Sequence, residues 1–204
     1  MNISLDNAGK RFNREWIFRH IDYRFIQGKS YAITGPNGSG KSTLIQLICG
    51  VSIMSEGSIV FDHLKPEEVY KNISISAPYL QLVEEMTLYE FLHFHSGLKN
   101  WLPSVTVKSL ISYIGLEESA HKQIRYFSSG MKQRVNLAQA IFSDVPIVLL
   151  DEPTTNLDDE GILLYRKLTT EFGNNRLFIV SSNDKQDYEF CDEVLDMKNY
   201  KENL

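Results

Sequence analysis

Gly35-Pro36-Asn37-Gly38-Ser39-Gly40-Lys41-Ser42-Thr43 is the stretch on which the fold turns. Its spacing, G-x-x-x-x-G-K-[ST], is that of a loop built to cradle phosphates. Glycines let the backbone curl until successive N–H groups point inward at one anion. A helix starting near Lys41 aims the positive end of its dipole at the same oxygens. Lys41 then reaches the β- and γ-phosphates of a nucleotide, and the Ser42 hydroxyl ligates Mg²⁺. Average residue usage would produce the four fixed positions by chance in about one chain in a hundred of this length.

The flanks suit such a loop. SYAIT (30–34) reads as a strand running into it, and STLIQLICG reads as a helix closed by Gly50. Further strands are expected at GSIVF (57–61), ISIS (73–76), IVLLD (147–151) and LFIVSS (177–182). The last two are continuous apolar runs, as central strands of a parallel sheet covered on both faces require. The opening, NISLDN and then WIFRHIDYRFIQG, reads as short strands with turns at Gly9 and Gly28. Between about residues 86 and 143 the pattern is helical, in MTLYEFLHFHSGL, SVTVKSLISYIGL and SGMKQRVNLAQAIF. In DEGILLYRKLTTEF, Leu164, Tyr165, Leu168 and Phe172 share one face, which predicts a helix covering the sheet.

The strand Ile147-Val148-Leu149-Leu150 ends in Asp151 and Glu152. Beside a phosphate loop, two acids at a strand end meet the metal and the γ-phosphate. Asp151 is expected to hold Mg²⁺ through water, and Glu152 to polarise the attacking water.

Phe127-Ser128-Ser129-Gly130-Met131, followed by Lys132-Gln133-Arg134, resembles the LSGGQ-type signature of ATP-binding cassette (ABC) transporters, and Pro153-Thr154-Thr155-Asn156-Leu157-Asp158 is similar to that family's D-loop. The resemblance covers nearly the whole chain. It implies an α/β, RecA-like P-loop NTPase core with a parallel sheet, an N-terminal antiparallel β subdomain and a helical insertion. Residues 1–204 would form one such domain, with 1–80 and 144–204 as the nucleotide-binding core and 81–143 as the helical subdomain. It also implies that Phe12 stacks on adenine, and that Gly35, Pro36, Asn37, Gly38, Ser39, Gly40, Lys41, Ser42 and Thr43 hold the phosphates. Ser128, Ser129, Gly130 and Asp158 would serve the nucleotide held by an opposite subunit. Two chains, a homodimer or a paired cassette, would then sandwich two MgATP head to tail and drive a separate integral-membrane permease.

The chain departs from the family's pattern at several positions. Ser129 and Met131 replace a glycine and a glutamine of the signature, leaving Ser128 and Gly130 in place. Asn183 stands where the family usually has a histidine against the γ-phosphate; an amide donates a hydrogen bond but carries no titratable charge. Catalysis is therefore assigned to Glu152 and Lys41 with Asn183, the last predicting slower or differently tuned hydrolysis. The glutamine expected after Pro78 is Tyr79, with Gln81 two residues on, so the metal set is Ser42 and Asp151 with the Tyr79–Gln81 region as a candidate contributor. Tyr79, Leu80, Leu82, Val83 and Met86 are expected to form an exposed apolar cleft for a cytoplasmic helix of the permease.

Composition limits the alternatives. Lys and Arg number 21 against 26 Asp and Glu, a net charge of −5, with no basic run that would mark a nucleic-acid face. No apolar run approaches the roughly 20 residues of a membrane helix, and the N-terminus carries no secretory pattern. Cys49 and Cys191 are too few for a disulfide framework. The expected place is the cytoplasm, peripheral on the cytoplasmic face of the membrane. The sequence ends soon after the core sheet, resembling the compact cassettes of small exporters, including those linked to haem export in cytochrome c maturation; export is the expected direction. Two other readings stay open: a non-transport ABC ATPase, and a switch that dimerises on ATP with little turnover. His93 and His95, two apart on a helix, face different sides and are read with the other histidines as structural. Trp16 and Trp101 show no stacking partners in the sequence.

Overall fold

The computed structural model describes residues 1–173 and 175–201. Two sheets organise the chain. Strands β1 (Ile3–Phe12), β2 (Glu15–Phe25) and β4 (Glu56–Phe61) form an antiparallel sheet in the order β2-β1-β4. Strands β3 (Ser30–Thr34), β5 (Ile73–Ser76), β6 (Ile147–Asp151), β7 (Leu177–Ser181) and β8 (Glu193–Asp196) form a parallel sheet in the order β5-β6-β7-β3-β8. The helices are α1 (Lys41–Ile48), α2 (Leu88–Leu98), α3 (Val107–Tyr113), α4 (Ser129–Ile141), α5 (Asp159–Phe172) and the short α6 (Lys185–Tyr188).

The continuous apolar runs of β6 and β7 are explained by burial on both faces. Side chains alternate across a strand. Ile147, Leu149, Leu177 and Ile179 accordingly join one core with α1 and the antiparallel sheet. Val148, Leu150, Phe178 and Val180 join a second core with α2, α3, α4 and α5. Each fully buried aliphatic side chain contributes roughly 1.5–3 kcal/mol of transfer free energy. The face predicted for α5 is the packed one: Tyr165 and Leu168 are buried, with Leu164 and Phe172 against the same core.

Several expectations are corrected. Gly9 is no turn but lies inside β1, where a Cβ would come within 3.2 Å of the Trp16 ring and 3.3 Å of Glu56 Cβ. The glycine admits a close cross-strand approach, and the hairpin turns instead at Asn13, with φ 55°. Strand β8 was not anticipated. It is four residues long and at the sheet edge, and Val194 is exposed. Both tryptophans have ring partners: Trp101 stacks on His95 at 4.7 Å, and the Arg19 and Arg11 guanidinium groups lie 4.2 and 5.5 Å from the Trp16 ring. Of the expected exposed cleft, Tyr79 and Val83 are exposed, but Leu82 is buried and Met86 packs against the core. Their alternation along the loop turns one set inward beneath α2.

Candidate functional site: a phosphate loop facing two acids

Parallel strands deliver their C-terminal ends to one edge, and the predicted groups gather there. The phosphate loop joins β3 to α1 with Gly35, Gly38 and Gly40 at φ 137°, 78° and 96°. Gly40 could not be another residue: a Cβ would lie 2.6 Å from Ile17 and 2.8 Å from Phe18 of β2. The antiparallel sheet thus braces the loop from behind. Lys41 is buried, and its Nζ donates to the carbonyls of Gly35 at 2.9 Å and Pro36 at 3.5 Å. Asn37, Gly38, Gly40, Lys41, Ser42, Thr43 and Glu152 line a cavity of about 240 Å³.

Asp151 ends β6 with 1 % of its surface exposed. Burial pushes its pKa up, against a downward pull from the Ser42 and Ser181 hydroxyls and the Lys41 ammonium. Its Oδ1 has no hydrogen-bond partner, and neither has the buried Oγ of Ser39. An unpartnered carboxylate oxygen is costly in a protein interior and is the donor a hard divalent cation requires. Ser42 and Asp151 therefore fit Mg²⁺. Glu152 adopts φ 46°, a conformation that costs a non-glycine residue free energy, and its backbone N–H is tied to Ser181 O at 2.8 Å.

Asn37 and Glu152 also line an adjoining cavity of about 440 Å³ with Thr154, Ser182, Asn183 and Asp187. Within it, Asn183 Nδ2 donates to Asn37 Oδ1 at 2.8 Å, so Asn183 is bonded to the phosphate loop. On the other side of β6, the Tyr79 hydroxyl meets the Gln46 side chain. Its pKa is pushed up to about 12, first by burial and then by the Asp151 charge. Tyr79 feels the Asp151 charge, and neither it nor the exposed Gln81 lines either cavity. Phe12 stands at the end of β1 with its ring half exposed and the Lys10 ammonium 4.9 Å from its centroid. It is outside the phosphate cavity, on the hairpin that braces the loop.

The signature residues lie apart. Ser128 caps α4, its side chain accepting from Met131 N at 3.2 Å. Ser128, Ser129, Gly130, Met131, Arg134, Asn156 and Asp158 line a cavity of about 370 Å³ that shares no residue with the phosphate cavity. Helix α4 is pinned to the loop after β6 by Gln133 Nε2 on Pro153 O at 2.7 Å and by Arg134 on Asp158 at 3.0 Å. Asp158 is at once the N-cap of α5, accepting from Gly161 N at 2.8 Å. These bonds hold its carboxyl below the usual range, the Gly161 N–H first and Arg134 next. Gln133 and Thr154 lie within the signature and D-loop stretches, but their partners, Pro153 and Asp187, are distant in the chain; no local motif marks Gln46, Ser182 or Asp187.

A phosphate loop facing a strand that ends in two acids, with a serine-capped helix on the same sheet, defines a nucleotide-hydrolase cassette. The ABC transporter family model matches residues 18–155. The uncharacterized ABC transporter ATP-binding protein YybJ of Bacillus subtilis (strain 168) is 34 % identical over 203 residues, covering 96 % of this chain and 92 % of YybJ. The cytochrome c biogenesis ATP-binding export protein CcmA of Xylella fastidiosa (strain 9a5c) is 33 % identical over 153 residues, covering 74 % of this chain and 69 % of CcmA. A putative ABC transporter (ATP-binding protein) from Pyrococcus furiosus shares the fold, with a TM-score of 0.84 at 18 % identity over 99 % of this chain and all of that one.

The chain belongs to the ABC transporter family. It is an ATP-binding, ATP-hydrolysing subunit, of the kind that works with membrane permeases. Among the described residues no helix is long and apolar enough to cross a membrane.

Proposed function

We propose that this chain binds MgATP between its own phosphate loop and the signature of a second copy, or of a paired cassette, and that hydrolysis drives a membrane permease in the export direction. The observation that carries the dimeric reading is the open signature cavity around Ser128 and Gly130, which shares no residue with the phosphate cavity. Phosphate-binding donors so placed serve a nucleotide only if a second chain brings one to them. The domain division that goes with this reading is 1–80 and 144–204 as core and 81–143 as the helical part.

In the free chain the Lys41 ammonium is hydrogen-bonded to the Gly35 and Pro36 carbonyls, and nucleotide phosphates would exchange for them. The loop N–H groups then hold the β-phosphate, and the exposed ring of Phe12 stacks on the base. Ser42 and Asp151 would hold the magnesium ion, which supplies charge neutralisation at the β- and γ-phosphates. Glu152, aimed into the same cavity by its unusual backbone, orients a water for in-line attack on the γ-phosphorus. Ser128 and Gly130 of the partner donate to the γ-phosphate oxygens, so its loss loosens the dimer. Export is favoured by the likeness to a relative described as an export protein. The place of action is the cytoplasmic face of the membrane.

The test is hydrolysis of MgATP across a protein concentration series, with Lys41→Ala and Glu152→Gln as controls. A specific rate that rises with concentration, and is lost in both variants, is expected. A specific rate independent of concentration, with the chain monomeric in ATP, refutes the composite site.

A further inference from the structure

Asp187 is a buried acid with no cation. Only 2 % of its surface is exposed, and among the described residues no ion pair joins it. A carboxylate so placed costs free energy unless hydrogen bonds compensate it. The compensation here comes from groups on two different loops. Thr154 Oγ1 donates to Asp187 Oδ1 at 2.5 Å, and the Ser182 side chain and the Thr154 N–H also favour the charged carboxyl, pulling against the rise that burial imposes. Thr154 is two residues beyond Glu152, and Ser182 immediately precedes Asn183. Asp187 is itself held from behind: its carbonyl accepts from the buried Tyr165 hydroxyl at 2.6 Å, and its N–H donates to Asp184 O at 3.1 Å. The side chain lines the cavity shared by Glu152, Asn183 and Asn37, and its hydroxyl partner Thr154 stands two residues beyond Glu152.

We propose that Asp187 is a positioning residue for ATP hydrolysis, an acceptor strut that fixes the turn carrying Glu152 against the loop carrying Asn183. It touches neither water nor phosphate and acts through Thr154 and Ser182. The role suits an anionic acceptor: an amide at this position has one weaker acceptor oxygen and places an NH2 donor where the second carboxylate oxygen stood. It rests on the proposed parts of Glu152 and Asn183 in hydrolysis.

The experiment compares wild type, Asp187→Asn, Thr154→Val and the double variant for kcat, KM for ATP and Tm, with Lys41→Ala alongside. Asp187→Asn and Thr154→Val are each expected to lower kcat about tenfold while KM holds, because the strut bears on the reacting geometry and not on nucleotide binding; Thr154→Val lowers Tm as well, since it takes a donor from a buried carboxylate. The double variant should be no slower than the slower single one, since both changes break one link. Full kcat in Asp187→Asn, or losses that multiply in the double variant, overturns the proposal. So does a fall in Tm and a rise in KM that match the fall in kcat, which marks a merely structural residue. Turnover that survives Lys41→Ala would instead count against the reading of the site itself, so the two failures are separable.

Discussion

His95 makes the stability of this fold depend on pH in a window where most carboxylates are silent. On α2 its ring stacks on Trp101, its Nε2 lies 3.0 Å from Ser143 Oγ, and Lys99 lies one turn further on. Burial first, and the Lys99 charge second, lower its pKa from 6.5 to about 4. The folded-state pKa is thus below the unfolded one, so as pH falls the unfolded chain takes up the proton first. The contribution is intact above about pH 6.5 and is lost progressively down to about pH 4. At 1.36 kcal/mol per pH unit, linkage gives a loss of about 2 kcal/mol between pH 7 and pH 5. For a chain of this size that is roughly 4–8 °C in Tm. Urea unfolding at the two pH values, for wild type and His95→Gln, isolates the effect. Glutamine keeps a polar group opposite Ser143 but does not titrate, and contributions from other groups cancel in the difference. Wild type should lose about 2 kcal/mol more than the variant on acidification. Equal losses in the two chains would refute the assignment.

Two further outcomes follow from the same geometry. Arg176 is buried, with its guanidinium donating to the carbonyls of Val145, Ile141 and Ser143 at 2.9, 2.6 and 2.8 Å, and burial lowers its pKa to about 10. Arg176→Met strands those carbonyls and should cost about 3 kcal/mol by chemical denaturation. KM for ATP should not change, because Arg176 precedes β7 and lies at the sheet edge opposite the phosphate loop. Asn183→His places a titratable ring against Asn37 and Glu152, so kcat should rise and acquire an inflection near pH 6.5 that wild type lacks. A pH–rate profile superimposable on that of wild type would refute a part for this position in hydrolysis.

The features legible in the sequence are those whose physics is local. The phosphate loop announces itself because its glycines and Lys41 must be contiguous to wrap one anion. The strands β6 and β7 do so because double-faced burial forces an unbroken apolar run. Gly9 misled because a glycine between strand-like segments signals either a turn or a close approach, and only the position of Trp16 across the sheet decides. Strand β8 escaped because four edge residues, of which only Leu195 is buried, are too few to carry a periodicity. The partners of Trp16, Trp101 and Asp187 depend on hairpin register, helix docking and the placement of α6. No window of sequence contains them.

Topology also explains why two of the departures from the family's pattern, Tyr79 and Asn183, belong together. Strand β6 delivers Asp151 and Glu152 between β5 and β7, its neighbours in the sheet. The chain leaving β5 leads to Tyr79, which feels the Asp151 charge; the chain leaving β7 leads to Asn183, which is bonded to Asn37. The acids and the phosphate loop keep the family's chemistry, and the changes fall on the two loops that flank them. A phenol is a donor that binds a cation poorly, and an amide is a donor without charge. Both substitutions lie outside the groups proposed to break the bond, and neither residue presents a charge to a metal or a γ-phosphate. Under the proposed function Glu152 sets the rate of hydrolysis and the Tyr79 loop its coupling to a permease, which makes the two separately tunable.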